Sequence, residues 1–320
     1  MTSFLTQKHS ESKGFMKKIW GLVRLVLIAV LSDPKTSYMV NGKKIIVPLS
    51  HAVPDYISTF KHYDNLPVRI ANFFKKNNIE IRCVDVGANV GDTLALFDAH
   101  NENESKFLAI EPHIKFSQYL DLNWKSDERV EIIYEVCSSK EEFSSNAFVE
   151  KSGTAFIDLN DDGEPIKQRT LDSMLKDLSN FKDPNIIKID TDGYDFEVLK
   201  GAKQTIISNM PWIMFEVFTI QNKNYVEDCI NSLIDLKNYG YSNLFIYDNL
   251  GNFHGSYQVD DIATIKKILF YQLTANSFYC FDFLVVPKDL SNNFLHDELS
   301  YFIDSCEDAT MFQNAKKLID

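Results

Sequence analysis

Short apolar runs alternating with helical spacing are the feature that most restricts how this 320-residue chain can fold. Ile81 to Val86, Lys106 to Ile110, Val130 to Tyr134, Asn185 to Ile189, Trp212 to Val217, Tyr241 to Tyr247 and Phe278 to Val286 each read as a strand. The segments between them, such as Gly91 to Asp98, His113 to Trp124, Tyr194 to Asn209 and Tyr225 to Lys237, place apolar residues three and four apart. Such apolar strands need cover on both sides. The pattern therefore predicts an α/β fold with a seven-stranded, mainly parallel sheet and helices on both faces. Residues 1–65 read as an N-terminal extension, 66–290 as the main domain and 291–320 as a helical tail. Within the extension, Tyr38 to Val47 reads as a hairpin turned by Asn41-Gly42. Residues 138–169 read as a looser, partly β insertion.

Charge narrows the partners. The net charge of −12 argues against a nucleic-acid binder, which needs a basic face to displace counterions. The imbalance is local, because residues 1–50 hold eight Lys/Arg against Glu11 and Asp33, leaving −18 on the rest. The five cysteines are scattered without metal-ligand spacing, a pattern expected of a reducing, cytoplasmic compartment. The apolar stretch Ile19 to Leu31 follows Lys17-Lys18 but contains Arg24, and about twenty residues are needed to span a bilayer. It is expected to pack on the domain or serve a homodimer contact; the alternatives are peripheral contact of residues 17–31 with an anionic membrane and a cleaved signal, which the lack of a small-residue cleavage site disfavours.

In a sheet of this kind the ligand lies beyond the carboxyl ends of the strands, where strand order reverses. The first such end is Val84-Asp85-Val86-Gly87-Ala88-Asn89-Val90-Gly91. Gly87 suits a sharp turn, and Gly91 opens a helix whose free amides favour an anionic group. Asp85 can order the turn and meet a cationic amino-acid ligand, while Glu111, closing the next strand, suits ribose hydroxyls. The spacing G-x-x-x-G differs from the G-x-G-x-x-G dinucleotide fingerprint, which counts against the rival reading of a nucleotide-dependent oxidoreductase. A non-catalytic binding protein on the same fold is a second rival.

A second constellation, Ile187-Lys188-Ile189-Asp190-Thr191-Asp192-Gly193, puts two acids at the end of a buried strand. It fails as a calcium loop, because a strand precedes it and Gly follows the second Asp directly. A divalent ion on Asp190, Asp192 and Glu216 is an alternative, but no metal is expected. Asp195 and Glu197 read as an acidic first helical turn.

These residues together resemble the FkbM family of methyltransferases, from about Ile81 to Val217 and more weakly to Val286. Ile110-Glu111-Pro112, Arg169-Thr170-Leu171-Asp172-Ser173 and Glu197-Val198-Leu199-Lys200-Gly201-Ala202 carry the resemblance beside the two loops. It implies a class I, Rossmann-like methyltransferase fold and S-adenosylmethionine bound through Asp85, Gly87, Asn89, Gly91 and Glu111. It also implies O-methylation of a small-molecule or glycan acceptor, commonly a sugar or natural product in bacterial biosynthetic clusters. One departure stands out: the family often has Glu where this chain has Asp192, one methylene shorter. Asp190 or Asp192 is expected to orient donor or acceptor, with Glu216 and His254 as further candidate bases, His254 lying in Asn252-Phe253-His254-Gly255, which reads as a hairpin after the sixth strand.

Overall fold

The computed structural model describes residues 2–144, 147–151, 154–158, 166–218, 222–275 and 280–319. Helices α1 (Thr2–Glu11) and α2 (Gly14–Leu31) precede a hairpin of β1 (Lys35–Val40) and β2 (Lys43–Pro48). Asn41 and Gly42 both take positive φ, 46° and 84°, as a tight two-residue turn matched to strand twist requires. Then come α3 (Val53–Thr59) and α4 (Leu66–Lys76), and the alternation begins: β3 (Arg82–Val86), α5 (Asp92–Phe97), β4 (Lys106–Ile110), α6 (Ile114–Trp124) and β5 (Val130–Ile133).

The insertion supplies β6 (Val136–Cys137), β7 (Glu142–Ser144), β8 (Ala147–Lys151), β9 (Thr154–Asp158) and β10 (Ile166–Arg169). Strands β6, β10 and β7 form a small sheet, and β8 pairs with β9. Parts of the 138–169 segment, and Phe278 with Tyr279 of the last strand, lie outside the described residues. The rest runs α7 (Leu171–Asp177), β11 (Ile186–Ile189), α8 (Asp195–Gly201), α9 (Lys203–Asn209), β12 (Trp212–Phe218), α10 (Tyr225–Asn238), β13 (Asn243–Asp248) and β14 (Phe253–Gln258). It ends with α11 (Ile262–Thr274), β15 (Cys280–Val286), α12 (Lys288–Asp304) and α13 (Ala309–Lys317).

The main sheet has the order β14-β13-β15-β12-β11-β3-β4-β5. Among the described residues it holds eight strands where the sequence pattern predicts seven. The added strand is β14, which pairs antiparallel with β13 at the sheet edge and alternates half-buried with exposed side chains. Its single apolar side keeps it out of the count of apolar runs, although the stretch from Asn252 to Gly255 reads as a hairpin after the sixth strand. Strands β3, β4, β5, β11 and β12 are parallel, and β15 runs antiparallel to β12. The chain moves outward from β3 to β5 and then returns to β11 on the other side of β3, so strand order reverses between β3 and β11.

Alternation along each strand divides the core into two layers. Ile187, Ile189, Phe215 and Phe283 face one layer, whereas Ile186, Trp212 and Leu284 face the other. Helix α12 closes the second layer: Phe294 sets its ring 4.8 Å from Trp212 and 5.3 Å from Phe245. One turn on, the buried Glu298 receives Arg69 Nε at 2.7 Å and Nη2 at 3.0 Å, and Tyr247 Oη donates to it at 2.7 Å. Removing one partner from such a pair leaves the other charge buried and uncompensated. Glu298→Ala should therefore lower the unfolding free energy by about 3–5 kcal/mol, read from the urea midpoint.

Candidate functional site

The loops after β3 and β11 meet at the point of strand reversal, and the contact between them is atomic. Gly87 has φ 82°, and a Cβ there would lie 1.9 Å from the Asp190 carbonyl oxygen. Its amide and that of Ala88 both donate to Ile110 O, at 3.0 and 3.1 Å, which ties the turn to the end of β4. Gly91 packs under Trp124, whose Nε1 donates to Gly91 O at 2.8 Å.

Beneath the loops, β3 and β11 place Asp85 directly opposite Lys188. Lys188 Nζ lies 3.1 Å from Asp85 Oδ1 and 3.3 Å from Asp190 Oδ2. Burial works against the ammonium charge, but Asp190 and Asp85 outweigh it and hold Lys188 well above the ordinary lysine range.

Asp195 organises the second loop. It is fully buried, with Oδ2 accepting from Thr191 Oγ1 at 2.8 Å and Oδ1 from the Glu216 amide at 3.0 Å. Burial, and then Asp190, push its carboxyl up to about 6. The acid expected merely to decorate a helix start thus joins the loop to β12. Asp192 and Gly193 take φ 53° and 103°, the left-handed bend that turns the loop over the strand end.

The cavity between these loops measures about 260 Å³. Of the residues singled out from sequence, Gly87, Asn89, Glu111, Asp190, Asp192 and Glu216 line it. Asp85 and Gly91 stand behind the wall, engaged by Lys188 and Trp124. Asp85, expected to meet a cationic ligand, faces Lys188. His254 is not brought to the cavity: it is exposed on β14, four strands from β11 or about 19 Å across the sheet, with Nδ1 bonded to Tyr257 Oη at 2.8 Å. The start of α5, expected to favour an anionic group, carries Asp92, which lines the cavity and accepts from Tyr38 Oη at 3.0 Å.

Sequence reading missed one whole wall. His51, Tyr56, Tyr63 and Asp64, all N-terminal to the alternating pattern, line the cavity. Burial lowers the His51 imidazole below the usual histidine range, and Nε2 sits 3.4 Å from Asn89 Oδ1. Burial, then Asp92 and Asp190, raise the Asp64 carboxyl. Lys188 was also missed, although a lone charge inside Ile186-Ile187-Lys188-Ile189 is a visible signal.

Glu111 is held by two amides: Oε2 accepts from Asn89 N and Oε1 from His113 N, each at 2.8 Å. Each oxygen keeps a lone pair for a further donor. Burial pushes this carboxyl up to about 7. Glu216 is raised by burial and then by Asp190 and Asp195, and its Oε2 is buried without a hydrogen-bond partner among the described residues. In all, the lining carries six carboxyl side chains and, among the described residues, one lysine. Among the described residues no group of three or more His, Cys, Asp or Glu could hold a metal ion.

The strand order, with its reversal at β3 and antiparallel β15, is that of a class I methyltransferase, a Rossmann-like fold. Residues 85–242 match the methyltransferase FkbM domain, and that domain of the chain belongs to the family. No curated protein matches the chain in sequence. Among solved structures, methyltransferase FkbM from Methylobacillus flagellatus aligns at 15% identity and TM-score 0.39, over 88% of this chain and 57% of that one. The chain thus spans little more than half the length of that relative. Precorrin-6y C5,15-methyltransferase from Geobacter metallireducens aligns at 11% identity and TM-score 0.35, over 68% and 86%. Fibrillarin from Aeropyrum pernix, solved with S-adenosyl-L-methionine, aligns at 9% and 0.38, over 80% and 83%.

The lining fits S-adenosylmethionine. The two free lone pairs of Glu111 suit a ribose diol, and the carboxyl-rich wall suits a ligand with sulfonium and ammonium charges. A pyrophosphate would meet the same wall as a repulsion.

The Asp85–Lys188 pair yields a stability test. Lys188→Met should cost about 3–5 kcal/mol in urea unfolding by stranding Asp85, and adding Asp85→Leu should recover most of that loss.

Proposed function

We propose that the chain transfers the methyl group of S-adenosylmethionine to a hydroxyl of a sugar, glycan or natural product. The observation that carries this reading is the carboxyl-rich cavity at the strand reversal, with Glu111 presented to it by two backbone amides. Bound there, the donor supplies a methyl group on a positively charged sulfur, open to attack by a nucleophilic oxygen. Family resemblance supports an oxygen acceptor, and the acidic wall favours a neutral hydroxyl over an anionic group.

The protein's part is alignment and proton handling. Glu111 holds the ribose, while Asp190 and Asp192, on the rigid loop pinned by Asp195, orient donor and acceptor. Glu216 is the base that takes the hydroxyl proton, since its unpartnered Oε2 belongs to a side chain lining the cavity. A cation bound among these carboxyls favours their ionised forms, so donor binding readies Glu216 to accept that proton.

The deciding experiment pairs thermal shift with labelled methyl transfer into an extracted glycan pool. S-adenosylhomocysteine should stabilise the protein by about 2.7 kcal/mol at a hundredfold excess over its Kd, and NAD should not. Stabilisation by NAD alone would sink the reading. Glu216→Gln should cut kcat by about 10²–10⁴ while the S-adenosylhomocysteine shift survives, and His254→Ala should leave both unchanged.

The carboxyl of Glu111 adds a pH dependence. Its value in the fold is raised to about 7, so protonation below that point removes part of its capacity to accept from the ribose. Donor affinity should rise with pH up to about 7, by at most about tenfold per unit, and then level off. Calorimetric titration should show this, and Glu111→Gln should flatten the profile and weaken binding throughout.

A further inference from the structure

The 18-residue helix α2 lies against the protein by one side only. On that side Arg24 donates through Nε to Leu49 O and through Nη2 to His51 O, each at 2.7 Å, and pairs with Asp55. The opposite side carries Phe15, Ile19, Leu22, Leu25, Val26 and Val30, spaced three and four apart and all exposed, with Leu22 and Leu25 each 64% accessible. None of the residues of α2 is buried. Packing on the domain therefore accounts for the Arg24 side alone.

We infer that this apolar stripe docks the protein onto an anionic lipid surface, the helix lying in the plane of the interface. Charge decides the occupant. Lys13 and Lys18 are exposed and Lys17 is half-buried at the start of α2, and the helix contains no Asp or Glu. A second copy would offer the same lysines and no acid on its own α2, so it lacks the opposite-charge pairs that set register between two helices. Lipid phosphates and carboxylates supply the missing charge, and the acyl boundary takes the apolar side. At about 27 Å the helix has the length for an extended contact along the surface. Among the described residues no helix is long and apolar enough to cross a membrane, which is consistent with contact from one side. The remaining −18 of the chain keeps its other faces off such a surface.

The test is co-sedimentation of the full chain with phosphatidylcholine vesicles made with and without phosphatidylserine, alongside analytical ultracentrifugation without lipid. Wild type should sediment with the serine-containing vesicles and release as salt is raised. Leu22→Asp/Val26→Asp should reduce partition by more than about tenfold. Lys13→Gln/Lys18→Gln should reduce it by roughly fivefold for each lysine removed. All four positions are exposed, so both variants should keep the wild-type melting temperature and S-adenosylhomocysteine shift. Three results would each overturn the inference. These are no sedimentation of wild type, equal sedimentation of the Leu22→Asp/Val26→Asp variant, and a lipid-free dimer that this variant dissolves while vesicles fail to bind.

Discussion

The site depends on one buried ion pair between neighbouring strands. Asp85 and Lys188 face each other across β3 and β11, just below the two loops that form the cavity. Neither charge could be buried alone, and each strand end is located by the need to satisfy the other. Lys188 also reaches Asp190, so the same ammonium that fixes the strands restrains the first residue of the second loop. The chemistry above this pair is therefore built on a floor with little freedom to shift.

That floor explains how so many acids coexist. Glu111 is held by two backbone amides and Asp195 by the Thr191 hydroxyl and the Glu216 amide, so their positions do not depend on a ligand. Burial and mutual repulsion raise Asp64, Glu111, Asp195 and Glu216, and Asp282 on β15 is pushed up to about 8 chiefly by burial. Such a cluster disfavours its own ionised forms, and a cation bound among the carboxyls favours them. An electropositive donor and an acid-rich cavity thus complement each other without a dedicated counter-ion for every charge.

Much of this was legible in the residues. Alternating apolar runs carry the parallel sheet, because a strand covered on both sides cannot hide its composition. The glycine turn and Glu111 mark the cavity, because a strand end with close backbone approach restricts residue type sharply. The edge strand β14 showed only as a hairpin after the sixth strand, and not among the apolar runs, because only one of its faces is packed. His51, Tyr63 and Asp64 escaped for a different reason: they reach the cavity by the path of an irregular segment, and no periodicity encodes that path. Asp195 looked like an ordinary helix-start acid, and only its complete burial reveals the loop it holds. His254 shows the converse, a reactive residue type whose strand carries it away from the cavity.

The missing Cβ of Gly87 makes the two loops a single part. Because the Asp190 carbonyl occupies that space, neither loop can be exchanged with a foreign counterpart unless the other moves with it. The wall from His51 to Asp64 is tied in the same way to a different turn, its His62 carbonyl filling the space where a Cβ of Gly251 would lie, and it is anchored near its start by Arg24. An engineer grafting a foreign segment over His51 to Asp64 would have to carry the turn after β13 along with it.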